Sequence, residues 1–124
     1  MGLYHCTIST DGSGDGTNLS GGNPQWTGHF CGLLMGVFID DNGAAATADV
    51  TIAEIAGLKR TILTGTDVTA DTAYNPQSPT QTNAAVATGL YSPFYLESSN
   101  LKVTVAQGGT SVTNAIIVTV LILE

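Results

Sequence analysis

LKVTVAQGGTSVTNAIIVTVLILE, residues Leu101–Glu124, decides the fold of this chain. Its first part alternates: Leu101, Val103 and Val105 are apolar, whereas Lys102 and Thr104 are polar. That is the period-two pattern of a half-buried strand. Gln107-Gly108-Gly109-Thr110 reads as a turn, because two glycines take positive φ at little cost. The stretch is therefore predicted to be a β-hairpin. Its closing arm, Ala115–Leu123, is apolar on both faces except at Thr119. Such a strand needs cover on both sides, from a second sheet, a helix or another subunit.

The rest of the composition agrees. Eighteen threonines, nine valines and eight isoleucines are punctuated by fifteen glycines among 124 residues. β-Branched side chains lose rotamer freedom in helices and pack well on pleated sheets, so the chain is expected to be all-β. Its length suits one domain, residues 1–124, with a core of its own. The net charge is −7, and the only cations besides histidine are Lys59, Arg60 and Lys102. Nucleic-acid binding needs cations to displace counterions from phosphates, and anionic membranes attract basic patches, so neither partner is expected. The apolar run Phe30–Ile39 is about half the roughly 20 residues of a membrane-spanning helix. Gly28, Gly32 and Gly36 have small-xxx-small spacing, but among β-formers they read as bends or close approaches in a strand. Met1–Thr10 has no basic region leading into an apolar core, so no secretory signal is read there.

Leu3–Ser9 reads as the first strand and Thr10–Gln25 as a glycine-rich loop. Trp26–Ile39 is a long strand or a pair, with Cys31, Leu33, Met35, Val37 and Ile39 on its stronger apolar face. Asp40-Asp41-Asn42-Gly43 is a turn carrying the Asn-Gly hairpin signal. Ala46–Ile55 is a strand, Ile55–Arg60 a turn or single helical turn, and Arg60–Leu63 the start of another strand. Tyr74–Pro79 holds two prolines and belongs on an edge or in a loop. Thr82–Ala87 can extend, and Tyr91–Leu96 forms an aromatic knot around Pro93. Seven to eight short strands at this spacing predict an antiparallel β-sandwich, with a jelly roll as one way of winding it.

Motifs that carry chemistry are weak. Asp11–Gly16 resembles the opening of a calcium loop, but the second ligand position is Ser13 and the twelfth position is Gly22 rather than a carboxylate. His5, Cys6, His29 and Cys31 are zinc-type residues, yet neighbours such as His5 and Cys6 point to opposite faces of a strand. Cys6 and Cys31 are read as reduced, buried thiols. No serine lies in a nucleophile elbow, and Asp49 and Glu54, the nearest thing to a glycosidase pair, read as exposed strand or turn positions. Trp26, Tyr91, Phe94 and Tyr95 could stack on a sugar, but the adjacent proline and leucine favour core or interface packing. No enzyme, cofactor or metal is expected. The candidate interface is Trp26, Tyr91, Phe94 and Tyr95, with Ile116, Val118, Val120 and Ile122 of the closing strand.

Several segments carry a resemblance. Thr10-Asp11-Gly12-Ser13-Gly14-Asp15-Gly16-Thr17 matches a T-D-x-S-G-x-G-T pattern, Gly28–Gly43 a glycine-led apolar strand with an acidic turn, and Asp49–Ile52 a D-[VF]-T-I strand. Leu63–Pro76 echoes L-T-x-T-x-V-T-A-D-x-x-Y-x-P, and Lys102–Gly109 is the stretch K-V-T-V-A-Q-G-G. In this order they resemble a group of small tailed-bacteriophage virion proteins encoded near the major capsid protein. The chain departs from the pattern in its longer Phe30–Ile39 run and its alanine-rich Gly43–Ala48. The resemblance implies a capsid decoration or cement protein, assembled in the host cytoplasm onto the virion surface. Its partner would be the major capsid protein, and it would form a dimer or trimer of its own. It brings no catalytic residues. The rival readings are another virion part (tail tube, head–tail connector or fibre base) and a carbohydrate-binding β-sandwich module.

Overall fold

The computed structural model describes residues 2–19, 30–55, 58–81 and 86–124, and contains no helix among them. Eleven strands form among the described residues: β1 (Gly2–Ile8), β2 (Gly16–Leu19), β3 (Phe30–Asp41), β4 (Asp49–Glu54), β5 (Thr61–Gly65), β6 (Thr72–Tyr74), β7 (Gln77–Gln81), β8 (Val86–Pro93), β9 (Tyr95–Ser99), β10 (Leu101–Ala106) and β11 (Ile116–Leu123). They exceed the expected seven or eight for two reasons. Gly16–Leu19, read as loop, pairs with β10, and the stretch from Thr72 to Ser99 divides into four short strands. The chain is an all-β antiparallel sandwich. Sheet A has the order β1-β11-β3-β6, with β9 also on β3. Sheet B has the order β2-β10-β4-β5, and β7 with β8 makes a separate ribbon. The proline-bearing segment lies at an edge, as expected, in β6 and β7.

Burial alternates along the inner faces. Cys6, Ile8, Ile39, Ile116, Val118, Val120 and Ile122 of sheet A join Val50, Ile52, Leu101, Val103 and Val105 of sheet B in one buried cluster. Each fully buried Val or Ile contributes roughly 1.5–3 kcal/mol relative to exposure, so this layer is the main source of stability.

The predicted closing hairpin does not form. β10 lies between β2 and β4, whereas β11 lies between β1 and β3 in the opposite sheet. A hairpin would set both apolar faces side by side with nothing opposite. Crossing between the sheets lets the inner face of β11 pack against that of β10. The turn at Asp40–Gly43 is likewise a crossing, from β3 in sheet A to β4 in sheet B, and not a hairpin. The pairs β1·β11, β2·β10, β3·β6 and β4·β5 are nested in sequence. They describe one long antiparallel ribbon, wound so that β11 also meets β3 and β10 also meets β4.

Three segments change sheets at one corner: 9–15, 42–48 and 107–115. Backbone hydrogen bonds join them, from Gly108 N to the Gly14 carbonyl (2.8 Å), Ser111 N to Asp11 O (2.8 Å), Ala45 N to Gly108 O (3.0 Å) and Asn42 N to Ala115 O (3.0 Å). Thr10 Oγ1 donates to the Gly109 carbonyl and accepts from Val112 N. Gly109 has φ +94°, and a β-carbon there would come within 3.1 Å of Val112 Cγ2. The Gly-Gly pair thus permits close packing at a corner instead of a two-residue turn.

β3 also corrects a face assignment. Val37 and Ile39 point inward as expected, but Cys31 and Met35 are exposed, and Phe30 and Leu34 are buried. Opposite Leu121 and Ile122 the partners step from Gly36 to Leu34, so Met35 is an extra residue in a β-bulge. A bulge reverses the parity of every side chain beyond it. Gly36, read from the sequence as a bend or close approach, stands directly beside it.

Candidate interaction surface

The inner residues of β11 cannot be an interface. Ile116, Val118, Val120 and Ile122 are all 0% exposed, inside the sandwich. Their alternates Ile117, Thr119, Leu121 and Leu123 face outward and are only partly covered. Within the chain, the inner face of β11 is fully covered by the opposite sheet, while its outer face is only partly covered. Registers extend this outer face into rows: Thr7–Ile117–Asp40, then His5–Thr119–Phe38–Ala73, then Leu3–Leu121–Gly36. Leu3 is 68% exposed and Phe38 41%. Between them lies a hollow of about 230 Å³, floored at Gly36 and bounded by Tyr74, Thr119 and Leu121. Leu3, Phe38 and Leu121 make the apolar part of this face, beside the polar side chains of Thr7, His5, Thr119 and Asp40.

The aromatic candidates separate. Phe94 is buried in the core, while Tyr95 is 57% exposed. Trp26 lies outside the described residues, as does the side chain of Tyr91 within β8. Tyr95, with Cys31, Leu33, Leu123 and Glu124, lines a second and wider hollow of about 440 Å³ at the end of the sandwich away from the corner. Tyr4 donates its phenol hydrogen bond to Glu124 nearby and meets the Phe30 ring edge-on at 5.0 Å.

At this same end Glu54 is buried, not exposed as its sequence position suggested. Arg60 grips it with two side-chain bonds, Nε to Oε2 and Nη2 to Oε1, each 2.8 Å. Nη2 also donates to the Tyr95 carbonyl at 2.8 Å, and the guanidinium lies 5.1 Å from the Phe94 ring centre. The clamp ties sheet B to the β8–β9 junction on sheet A.

Carboxylates elsewhere organise backbone. Asp49 accepts from Asp67 N, Asp41 from Ala44 N, and Asp71 from Asp41 N, at 3.0–3.1 Å. In the Asp11–Gly16 segment, Asp11 Oδ1 accepts from Asp15 N and Ser13 N. These amides hold the Asp11 carboxyl below its ordinary range. A depressed acid stabilises the fold above its unfolded pKa, about 3.9, and the contribution vanishes as pH falls through the lower folded value. Asp11→Asn is accordingly expected to flatten the loss of stability with falling pH below about 4, measured by urea unfolding at stepped pH.

Of the described zinc-type residues, Cys6 and Cys31 lie far apart. Cys6 pairs in register with Val118, which pairs with Ile39, so Cys31 lies eight residues further along β3. That is roughly 26 Å at strand spacing, and no disulfide joins the two. Cys6 is buried, and burial raises its thiol pKa to about 12, whereas Cys31 is exposed, against expectation. His29 lies outside the described residues. Among the described residues no three His, Cys, Asp or Glu side chains gather as metal ligands.

Sequence reasoning missed Leu3, Gly36, Phe38 and Leu121 as surface residues. The signal for Leu121 was present, since the odd positions of β11 are as apolar as the even ones. Only the pairing could say which set faced out. Comparison with protein-family models, with curated proteins and with solved structures gave no match.

Proposed function

We propose that the protein is a structural component of a tailed-phage particle, a decoration or cement protein that docks on the major capsid protein and stabilises the shell. The observation that carries this proposal is the outer face of sheet A, an ordered apolar surface on a domain whose stability does not require it to be bare. Other features support it. Two of the segments that carry the phage resemblance, Thr10–Thr17 and Lys102–Gly109, contribute to the interlocked corner, so they fit a fold-defining signature. The nested strand order fits a jelly-roll winding, an architecture suited to tiling surfaces. Asp11, Asp41, Asp49, Asp71 and Glu54 are each engaged in holding backbone or Arg60, which suits a scaffold. A cement protein acts by mass action: it binds the assembled shell and not the free parts, and repetition over the lattice adds avidity.

Electron microscopy of particles with and without the protein tests this directly. Outer-shell density is expected to appear only with the protein, and shells lacking it to open at lower temperature. A protein that never copurifies with capsids would remove the proposal; density at the tail or connector would move it to another virion part. A second reading rests on Tyr95, whose exposed ring beside the 440 Å³ hollow could stack on a sugar. Glycan-array binding lost in Tyr95→Ala would favour it.

A further inference from the structure

The Asn42-Gly43 pair lies in a crossing between sheets and not in a hairpin, so the usual reason for an Asn-Gly turn is absent. Among the seven asparagines of the chain, Asn23 and Asn75 precede proline, Asn83 and Asn114 alanine, and Asn18 and Asn100 leucine. Asn42 alone precedes glycine. Both residues of the pair are exposed. Asn42 is held on one side by the segment that leads into β11: its backbone N–H donates to the Ala115 carbonyl at 3.0 Å and its Nδ2 to the Asn114 carbonyl at 3.1 Å. On the other side, Ala44 N donates to Asp41 Oδ1 at 3.1 Å. The N–H of Gly43, between them, has no hydrogen-bond partner among the described residues. Gly43 has φ +115°, and a β-carbon there would meet nothing nearer than Val112 Cγ1 at 3.7 Å. Glycine is needed here for its backbone conformation, and it leaves its own nitrogen unshielded.

We propose that Asn42 is a site of spontaneous deamidation in the folded protein, and that the reaction unlocks the corner. The Gly43 nitrogen gives up its proton to solvent base and attacks Asn42 Cγ. A new N–Cγ bond closes a five-membered succinimide. The Cγ–Nδ2 bond breaks, and Nδ2 leaves as ammonia with a proton from solvent. Water then opens the ring at either of its two carbonyls. One opening leaves an aspartate on an ordinary backbone, and the other routes the backbone through the side chain as isoaspartate. One water is consumed and one ammonia released, and nothing is oxidised or reduced. The inference does not depend on the virion reading.

The atom that leaves is the atom that ties two crossings together. Nδ2 is the donor to the Asn114 carbonyl, and a carboxylate in its place can only accept. It would face that carbonyl, with the Asp41 carboxylate on the preceding residue. Asn114 has φ +50°, a backbone conformation that persists only where its surroundings hold it. Isoaspartate goes further, since an extra backbone carbon between Asn42 N and Gly43 shifts the bond to the Ala115 carbonyl as well.

Peptide mapping by mass spectrometry tests the reaction on the folded full chain, incubated at neutral and at mildly alkaline pH. The peptide containing Asn42 is expected to gain the mass of a hydroxyl in place of an amino group, sooner than any other asparagine peptide and faster at the higher pH. Part of the product should accept methyl groups from an isoaspartyl methyltransferase. Asn42→Gln, which would have to close a six-membered ring, should stay unmodified at that position. Aged protein should melt below fresh protein, while aged and fresh Asn42→Gln melt alike. Asn42→Asp, which carries one product from the start, should show faster amide hydrogen exchange over residues 108–115. An Asn42 peptide that is unchanged in the folded chain but modified in urea overturns the proposal, because the corner then shields the site. Earlier modification of another asparagine overturns it too. Deamidation at Asn42 that alters neither melting nor exchange overturns the unlocking.

Discussion

Ile122→Ala is expected to destabilise the protein by about 3 kcal/mol, within the range for deleting a large buried aliphatic side chain. Ile122 is fully buried in the contact between sheets, and its loss leaves a cavity that a β-sheet cannot readily collapse. In a domain of this size the melting midpoint should fall by about 10 °C or more. Leu121→Ala, one residue earlier, should cost about 1 kcal/mol or less, since that side chain is half-covered and faces outward. Thermal and urea unfolding of the two variants, at concentrations that keep the chain monomeric, gives the comparison. Equal losses would mean that both faces of β11 are covered within the monomer.

Arg60→Ala is expected to be of similar size, about 3 kcal/mol, the cost of removing one partner of a buried ion pair. The Glu54 side chain is 2% exposed and that of Arg60 27%, so the penalty falls on the carboxylate left behind. The Arg60 backbone N–H, 3.1 Å from Oε2, would still serve it, but both guanidinium bonds and their charge would be gone. Arg60→Lys should rescue little, because a point charge cannot reproduce two parallel bonds or lie flat over Phe94. Replacing both members with methionine should recover most of the loss, since no charge is then stranded. The sign with pH follows. A stranded, buried carboxylate has its folded pKa raised above the unfolded value, so it destabilises at neutral pH. That penalty shrinks as pH falls through the raised pKa and Glu54 takes up a proton. Urea unfolding of Arg60→Ala near pH 7 and near pH 4 should therefore show a smaller deficit in acid.

Glu54 shows why some of the molecule was illegible in the sequence. Its position at a strand end reads as exposed, and the approach of Arg60, just before β5, supplies a charged partner for the buried carboxylate. Gly36 and Leu3 illustrate the same limit, because they share a row only through β11, some eighty residues away from Gly36 in the chain. Of the interface candidates chosen from sequence, Tyr95 is on the surface and four residues of β11 are core. Apolarity identified that strand as important but could not divide its two faces.

What the amino-acid sequence determined by itself was local: strand-forming side chains, their alternation, and the glycine-rich places where the chain must bend. Those preferences act between near neighbours, and they sufficed for an all-β antiparallel sandwich. Which strands pair was decided only in three dimensions. Leu101–Ala106 and Ile116–Leu123 could each have paired with the other across Gly108-Gly109. They part into opposite sheets because only there does each bury its inner face against the other's, leaving the outer face of β11 partly exposed.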